Sequence, residues 1–394
     1  MSLFLDLSAL QTVPAANLNR DDLGSPKTVR YGNTSRIRVS SQSWKRVIRH
    51  GVEEDLGERA ARTRQVPVKV REALKTRGWP AELAEFAGEQ VAVSAGKKGI
   101  GTEKEGHTSV LLFLPESGLD ELVEVCAEHR EQLEQGFQKK EQNSRKKKEK
   151  EQVLPPGRIE EILKRRTASI SLLGRMLAEL PGAYVDGAAQ VAHAFTTHTA
   201  EPQRDYFTAV DDWLDEEDTG SGHLDTGEFS AGVFYRYATV NVTDLLTNLD
   251  GDVKAARTVL GAFAEHFLFS LPQAKKNSTA PHTVPDLAYL AVRTQRPMSL
   301  AAAFETPVRH SDGGFARASR RALAAYAKDL NRLTAGRRRP FHGHATVTDP
   351  VPAGSPDALD LTPLGNEHAS YDDLVTAALD AAFPATGQES GGAA

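Results

Sequence analysis

Side chains able to do covalent chemistry are few and scattered in this 394-residue chain. Asp21 and Asp22 form an acid pair that could serve general acid/base work, but no evident base or metal cage accompanies them. His193 and His198 stand five positions apart, a spacing that does not place both on one helix face, and no third ligand follows. Core or hydrogen-bonded histidines are therefore expected. Cys126, the single cysteine, excludes an intramolecular disulfide and a multi-cysteine zinc site. The run G-K-K-G-I-G-T-E-K-E-G at Gly96 to Gly106 has the outer glycine spacing of a phosphate loop. Thr102 nevertheless stands where a lysine must reach the phosphates, and Lys104 spoils a dinucleotide fingerprint starting at Gly99, so the run reads as a flexible loop. No catalytic centre, metal or cofactor is expected.

Binding chemistry is concentrated elsewhere, in R-I-R-V-S-S-Q-S-W-K-R-V-I-R-H-G at Arg36 to Gly51. Ile37 and Val39 alternate with Arg36, Arg38 and Ser40, which predicts a strand with one buried and one basic, polar face. A helix follows, with Ser40 or Ser41 as N-cap and Gly51 as its left-handed terminator. Gln42, Lys45, Arg46 and Arg49 fall at i, i+3, i+4 and i+7, opposite Trp44, Val47 and Ile48. Such a helix can simply be solvated. Here, however, the basic face holds no acid and ends in serine hydroxyls near a helix N-terminus, where phosphate oxygens are well received. From Met1 to His50 there are eight basic residues against three acidic ones. A polyanion is the natural partner.

Charge is uneven along a chain whose net charge is only -5. Nine acids and no Lys or Arg lie between Asp205 and Glu228, and seven bases against two acids between Lys139 and Lys150. Hydrophobic residues make up 40% of the chain, enough for a real core. The leader M-S-L-F-L-D-L lacks a basic n-region, and no apolar run approaches the roughly 20 residues that span a bilayer. A soluble, cytoplasmic protein is expected.

The elements that must position the basic helix read in order. Leu3, Leu5 and Leu7 alternate with Phe4 and Asp6 in a first strand, and the long loop from Gln11 to Gly32 precedes the strand and helix above. Val52 to about Leu180 is largely helical, with one amphipathic helix over Leu119–Gln142 and a short strand at Val110–Leu114. Gly220 to Gly227 has hairpin and turn chemistry. Strands at Val233–Val242, at Leu287–Arg293 and near Ala345 then alternate with helices from Val253, stopped by Pro272, over Phe315–Leu333, and over Tyr371–Phe383. A Gly-rich, disordered tail follows. With the middle removed, the pattern β, α, β, α, β is close to a ferredoxin-like or RNA-recognition-motif core carrying a large helical insertion, an α+β fold.

L-N-R-D-D at Leu18 to Asp22 with R-V-S-S-Q-S-W-K-R at Arg38 to Arg46 resembles the start of the backbone subunit of the type I-E CRISPR Cascade complex, the CasC-type protein of the RAMP superfamily. G-R-M at Gly174, A-H-A-F-T-T-H at Ala192, Y-F-T-A-V-D-D at Tyr206 and E-F-S-A-G-V-F-Y-R-Y-A at Glu228 continue the resemblance in the same order. It implies a hand-shaped protein: a palm over 1–51, 181–198 and 229–383, helical fingers over 52–180 and a thumb hairpin over 199–228, with 384–394 as the tail. It implies polymerisation along a CRISPR guide RNA, pairing with target DNA, and contact with neighbouring copies and with the large, small, CasD-type and guide-processing endoribonuclease subunits. Guide contact is implied for Arg20, Ser40, Gln42, Lys45, Arg46 and Arg49, the last standing where relatives carry lysine, and Arg38 on the basic strand face is assigned to RNA beside them. Lys275 and Lys276, in a smaller basic loop, are placed near RNA as well.

Several residues keep two readings. Arg20 either grips a phosphate or belongs to an Asx-type turn with Asn19 and Asp21. Met176, Tyr206 and Phe207 are by type core residues, yet Tyr206, Phe207, Thr208, Val210 and Leu224 lie in an acidic, turn-rich segment where apolar side chains can wedge between bases. The resemblance implies a thumb folded over the guide on the next copy, with Met176 on the other side, and Tyr206 replacing a tryptophan of relatives. Lys139, Lys140, Lys146 and Lys147 belong either to a solvated helix or to a target-DNA contact. The acids of the thumb suit a basic protein surface better than a phosphate backbone. Two rival functions remain: a metal-dependent, RNA-guided ribonuclease using Asp21, and a single-copy RNA-binding module.

Overall fold

The computed structural model describes residues 2–142, 151–180, 182–210, 221–310, 314–336, 338–351 and 354–384. Two compact units are present, Met1–Gly51 with Ala189–Ala394, and Val52–Ala188. Among the described residues no helix is long and apolar enough to cross a membrane.

Strand β1 (Leu3–Ala16) is buried without a break from Leu5 to Gln11, because both of its faces are covered. The polar residues this encloses are paired: Asp6 accepts from Arg293 Nε at 2.8 Å and from the Met298 amide at 2.9 Å. Strands β2 (Thr28–Tyr31) and β3 (Thr34–Val39) form a hairpin across Gly32 and Asn33. Both turn residues have φ near +60°, as a two-residue type I′ connection requires. Helix α1 (Ser41–Asp55) follows. It does not end at Gly51 as expected: the left-handed residue is Gly57, at φ 65°. Gly51 serves close packing, since a Cβ there would lie 2.2 Å from His266 Nδ1.

In the second unit β4 (Ala60–Thr63) pairs with β5 (Leu112–Pro115), and α2 (Val66–Thr76) packs on α3 (Ala81–Val93). The single helix expected over Leu119–Gln142 is two, α4 (Ser117–Glu128) and α5 (Arg130–Gln142). The break falls at His129, whose ring Nδ1 lies 2.9 Å from the Val125 carbonyl, an oxygen that also accepts from the His129 amide at 3.2 Å. Helices α6 (Pro156–Lys164) and α7 (Ala168–Leu173) complete the unit around a core that includes Val70, Leu74, Leu122, Cys126, Leu133 and Ile159. Burial pushes the Cys126 thiol up to about 12, so it stays an inert packing group. Arg175, 3% exposed, donates to the carbonyls of Lys164, Arg165, Phe113 and Ala183 and ties four chain segments together.

The first unit resumes with β6 (Ala189–Val191), β7 (Ala194–Thr196), β8 (Gln203–Val210), β9 (Ser221–Asn241), α8 (Val242–Asn248), α9 (Val253–Phe269), the short α10 (Lys276–Thr279) and β10 (Leu287–Thr294). Then come α11 (Ala316–Leu333), β11 (Phe341–Thr346), β12 (Asn366–Glu367) and α12 (Tyr371–Ala382). The strand order is β12-β11-β10-β1-β9-β7-β3-β2, with β6 and β8 also paired to β9. All neighbours are antiparallel except β11 and β12. The strand expected from Val233 is the second half of the 21-residue β9, whose first half pairs with β8 from Gln203↔Phe229 to Val210↔Ser221. Adjacent residues of β9 look to opposite faces. Tyr235 packs with Tyr289, Phe304 and Leu323 beneath α11, while Arg236 meets Trp44 of α1 and Phe267 of α9 on the other side.

Candidate nucleic-acid interface

The β3–α1 junction is built by side chains from distant parts of the chain. Asn19 Oδ1 accepts from the Ser40 amide and His193 Nδ1 from the Ser41 amide, each at 2.9 Å. These two acceptors cap the first free donors of α1, so the serine backbone itself is already satisfied. His193 sits 3.4 Å from Arg38 Nη1. Burial, then Arg38 and Lys27, hold its pKa below the ordinary imidazole value, which keeps the ring neutral and able to accept. His193 is expected to be a structural histidine, and Lys27 counts only among the eight bases that precede Gly51. The signal for both was only their distance in the fold.

Around this junction Arg20, Gln42 and Arg46 are exposed and Lys27, Arg38 and Lys45 are half-exposed. Three residues depart from expectation. Arg36 does not contribute to a basic face: it is fully buried and donates to Thr34 Oγ1 and to the carbonyls of Thr196, Phe304 and Glu305. Arg49 is only 9% exposed and lies 3.2 Å from His50 Nε2, so it turns into the fold and away from the exposed stripe. Ser40, at 4%, is likewise enclosed.

Arg20 leads a tight loop. Asp21 Oδ1 accepts from the amides of Leu23 (3.0 Å) and Ser25 (2.9 Å), and Arg20 bridges to Pro26. The Asx-type turn and an exposed Arg20 therefore coexist: Asp21 makes the turn and Arg20 projects from it. Asp21 thus stands as a turn former with two backbone donors on one oxygen. Among the described residues no group of three or more His, Cys, Asp or Glu is arranged to hold a metal ion.

On the β8–β9 ribbon Tyr206 is 67% and Phe207 43% exposed, and Thr208 is exposed as well. Thr208 pairs in register with Leu224. An isolated two-stranded ribbon has no layer to bury them against. The acids at Asp211 to Asp218 lie outside the described residues. Lys275, with left-handed backbone at φ 55°, and Lys276 are exposed in the turn that follows α9. His198, the other candidate ligand, lies with Nδ1 3.0 Å from the Thr199 carbonyl and accepts at Nε2 from the Val233 amide. Its ring stacks on Phe315 at 3.7 Å, and burial lowers its pKa.

In the second unit Met176 is 82% exposed and shares an open cleft of about 450 Å³ with Tyr184, Leu111, Phe113 and Arg62, whose guanidinium stands 4.4 Å over the Phe113 ring. Lys139 is exposed, while Lys140 pairs with Glu89 at 2.9 Å; Lys146 and Lys147 lie outside the described residues.

Residues 5–356 match the family model described as CT1975-like protein. The chain belongs to that family. Two solved structures are similar over nearly its whole length. A chain of a "CRISPR RNA-guided surveillance complex, pre-nicking" is 46% identical, with a TM-score of 0.86, covering 96% of this chain and 100% of its own. A chain of a "CRISPR RNA-guided surveillance complex" is 40% identical, with a TM-score of 0.77, covering 96% and 99%. No curated protein matches.

Proposed function

We propose that this CT1975-like protein is a non-catalytic, guide-RNA-binding backbone subunit of a cytoplasmic CRISPR surveillance complex of the type I-E Cascade kind. The observation that carries the reading is the gathering of Arg20, Lys27, Arg38, Lys45 and Arg46 at one corner of the sheet, on a chain closely similar to chains of RNA-guided complexes. Cations on long side chains around a rigid helix start suit a phosphate backbone. They carry no base readout, so sequence choice would fall to pairing between guide and target DNA.

In this reading the first unit is an RNA-recognition-like palm, Val52–Ala188 the fingers and β8–β9 a thumb whose Tyr206, Phe207, Thr208 and Leu224 fold over RNA on the next copy. Met176 lies against the same RNA from the fingers, Lys275 and Lys276 add phosphate contacts, and Lys139, Lys140, Lys146 and Lys147 meet target DNA. Copies stack head to tail, a heterologous contact that yields a filament when it does not close. The large, small, CasD-type and guide-processing subunits complete the assembly.

Co-purification with a guide-length RNA at several salt concentrations, with the mass of the complex recorded, tests this for wild type and for a Lys45→Ala/Arg46→Ala/Arg20→Ala variant. Many copies per RNA, few for the variant and a shallower salt dependence support the proposal. A monomer that stays free of RNA beside its partner subunits overturns it. Cleavage of a complementary RNA with divalent metal, lost in Asp21→Asn, would favour the ribonuclease reading instead.

A further inference from the structure

Asn17 stands where β1 leaves the sheet. The β1–β9 register slips by one residue between Val13 and Ala16, a bulge at Pro14 and Ala15 that bends the strand out of the ladder. The Asn17 side chain is 1% exposed, and its Nδ2 donates to two carbonyls at once, Gly24 and Glu228, each at 2.9 Å. Gly24 belongs to the tight turn that carries Arg20. Glu228 lies at the root of the β8–β9 ribbon, opposite Arg204 and two residues before Ser230 pairs with Ala16. Because both partners are acceptors, the amide orientation is set by its surroundings. Its Oδ1 has no hydrogen-bond partner among the described residues, so the position uses the two donors and tolerates a buried, unpaired acceptor to have them.

We infer that Asn17 is a positioning residue that locks the Arg20 turn to the root of the aromatic ribbon, presenting a phosphate contact and a base contact at one fixed spacing. This rests on the guide-binding reading above. A turn and a two-stranded ribbon are the elements of a fold most free to drift, and a single buried amide bonded to both removes that freedom before RNA arrives. The ordering cost is then not charged against binding. Residues that act through one another in this way show non-additive effects when replaced together.

The test uses the full chain with a fluorescently labelled guide-length RNA titrated across salt concentrations, for wild type, Asn17→Ala, Arg20→Ala and the double variant, with hydrogen exchange read in parallel. Loss of one charge-assisted contact weakens binding about tenfold, and Asn17→Ala is expected to weaken it comparably. Both single variants should also make the salt slope shallower by about 0.7, the increment for one phosphate on a single strand. The double variant should be within about twofold of the weaker single one. Amides of Asp21 to Ser25 should exchange faster in Asn17→Ala while those of α9 stay as in wild type. The nearly isosteric Asn17→Asp, which replaces the donors by acceptors facing two carbonyls, should bind no better than Asn17→Ala, and the unchanged exchange of α9 guards against a merely unfolded variant. A double variant that loses the product of the two single effects overturns the assignment, as does an Asn17→Ala protein that binds like wild type. Failure of wild type to bind guide-length RNA overturns the guide-binding reading and this assignment with it.

Discussion

Arg236 is the residue on which the seating of α1 depends, and its replacement has a magnitude that can be worked from the structure. It is 2% exposed, its guanidinium stacks 3.8 Å from the Trp44 ring centroid and 4.8 Å from that of Phe267, and it donates to Gln11 Oε1 at 2.6 Å and to the Phe267 carbonyl. Desolvation draws its pKa down to about 9, so it remains charged at neutral pH. A desolvated cation–π contact contributes about 2 kcal/mol and each hydrogen bond to a charged group about 1.5–3 kcal/mol. Opposing these is the cost of burying a cation whose hydrogen-bond acceptors are an amide and a carbonyl, several kcal/mol in its own right. The net contribution is therefore modest, but truncation also strands two buried acceptors and leaves a cavity under Trp44. Arg236→Ala should destabilise the first unit by about 3 kcal/mol. Arg236→Lys keeps the charge but not the planar fork, and should cost about half as much. Urea unfolding followed by Trp44 fluorescence, in a Trp79→Phe/Trp213→Phe background, reads both. An Arg236→Ala midpoint corresponding to less than about 0.5 kcal/mol, or a lysine variant equal to wild type, would refute the account of how α1 is held.

Arg46→Ala and Arg36→Ala should part company: the first lowers RNA loading and makes the salt slope shallower by about 0.7 with stability unchanged, and the second costs about 3 kcal/mol of stability by stranding buried carbonyls. Binding titrations and urea midpoints separate them. Gly51→Ala should destabilise, because overpacking against His266 costs about 1–3 kcal/mol while the helix gains only about 1 kcal/mol from alanine; His266→Ala added to it should restore stability, and a Gly51→Ala protein more stable than wild type would show that the helix can move aside. His342 has its pKa drawn down to about 4 by burial and then by Arg339, and burial also lowers His198 and His344. Their unfolded forms take up protons near 6.5, so the stability linked to the neutral rings is complete above that pH and is lost as pH falls below it, for His342 through about 4. A urea midpoint that is flat between those values would contradict the neutral assignment.

Periodicity found the elements whose signal is local. The strands at Leu287 and near Ala345 and the helices from Val253, Phe315 and Tyr371 lie where their apolar spacing places them. It failed wherever a distant residue decides. Gly51 looks like a helix stop until His266 is seen to need the space. Leu119–Gln142 looks like one helix until the His129 ring is seen folded back on the Val125 carbonyl. The long β9 reads from sequence as a turn followed by a strand, because its first half forms a ribbon with β8 and carries no apolar alternation to detect. The candidate site suffers most, since alternation assigns Arg36 to the same face as Arg38 and cannot know that carbonyls of Thr196, Phe304 and Glu305 surround it. The consequence is quantitative. Of the eight cations that precede Gly51, Arg36 and Arg49 are turned inward, leaving Arg20, Lys27, Arg38, Lys45 and Arg46 at the junction and Arg30 on the β2–β3 hairpin. If each of the five at the junction met one phosphate of a single strand, the slope of log affinity against log salt would reach about 3.5 per copy from this corner. A steeper measured slope requires cations from another element, and Arg204 at the ribbon root and the Lys275 turn are two places where the fold offers them.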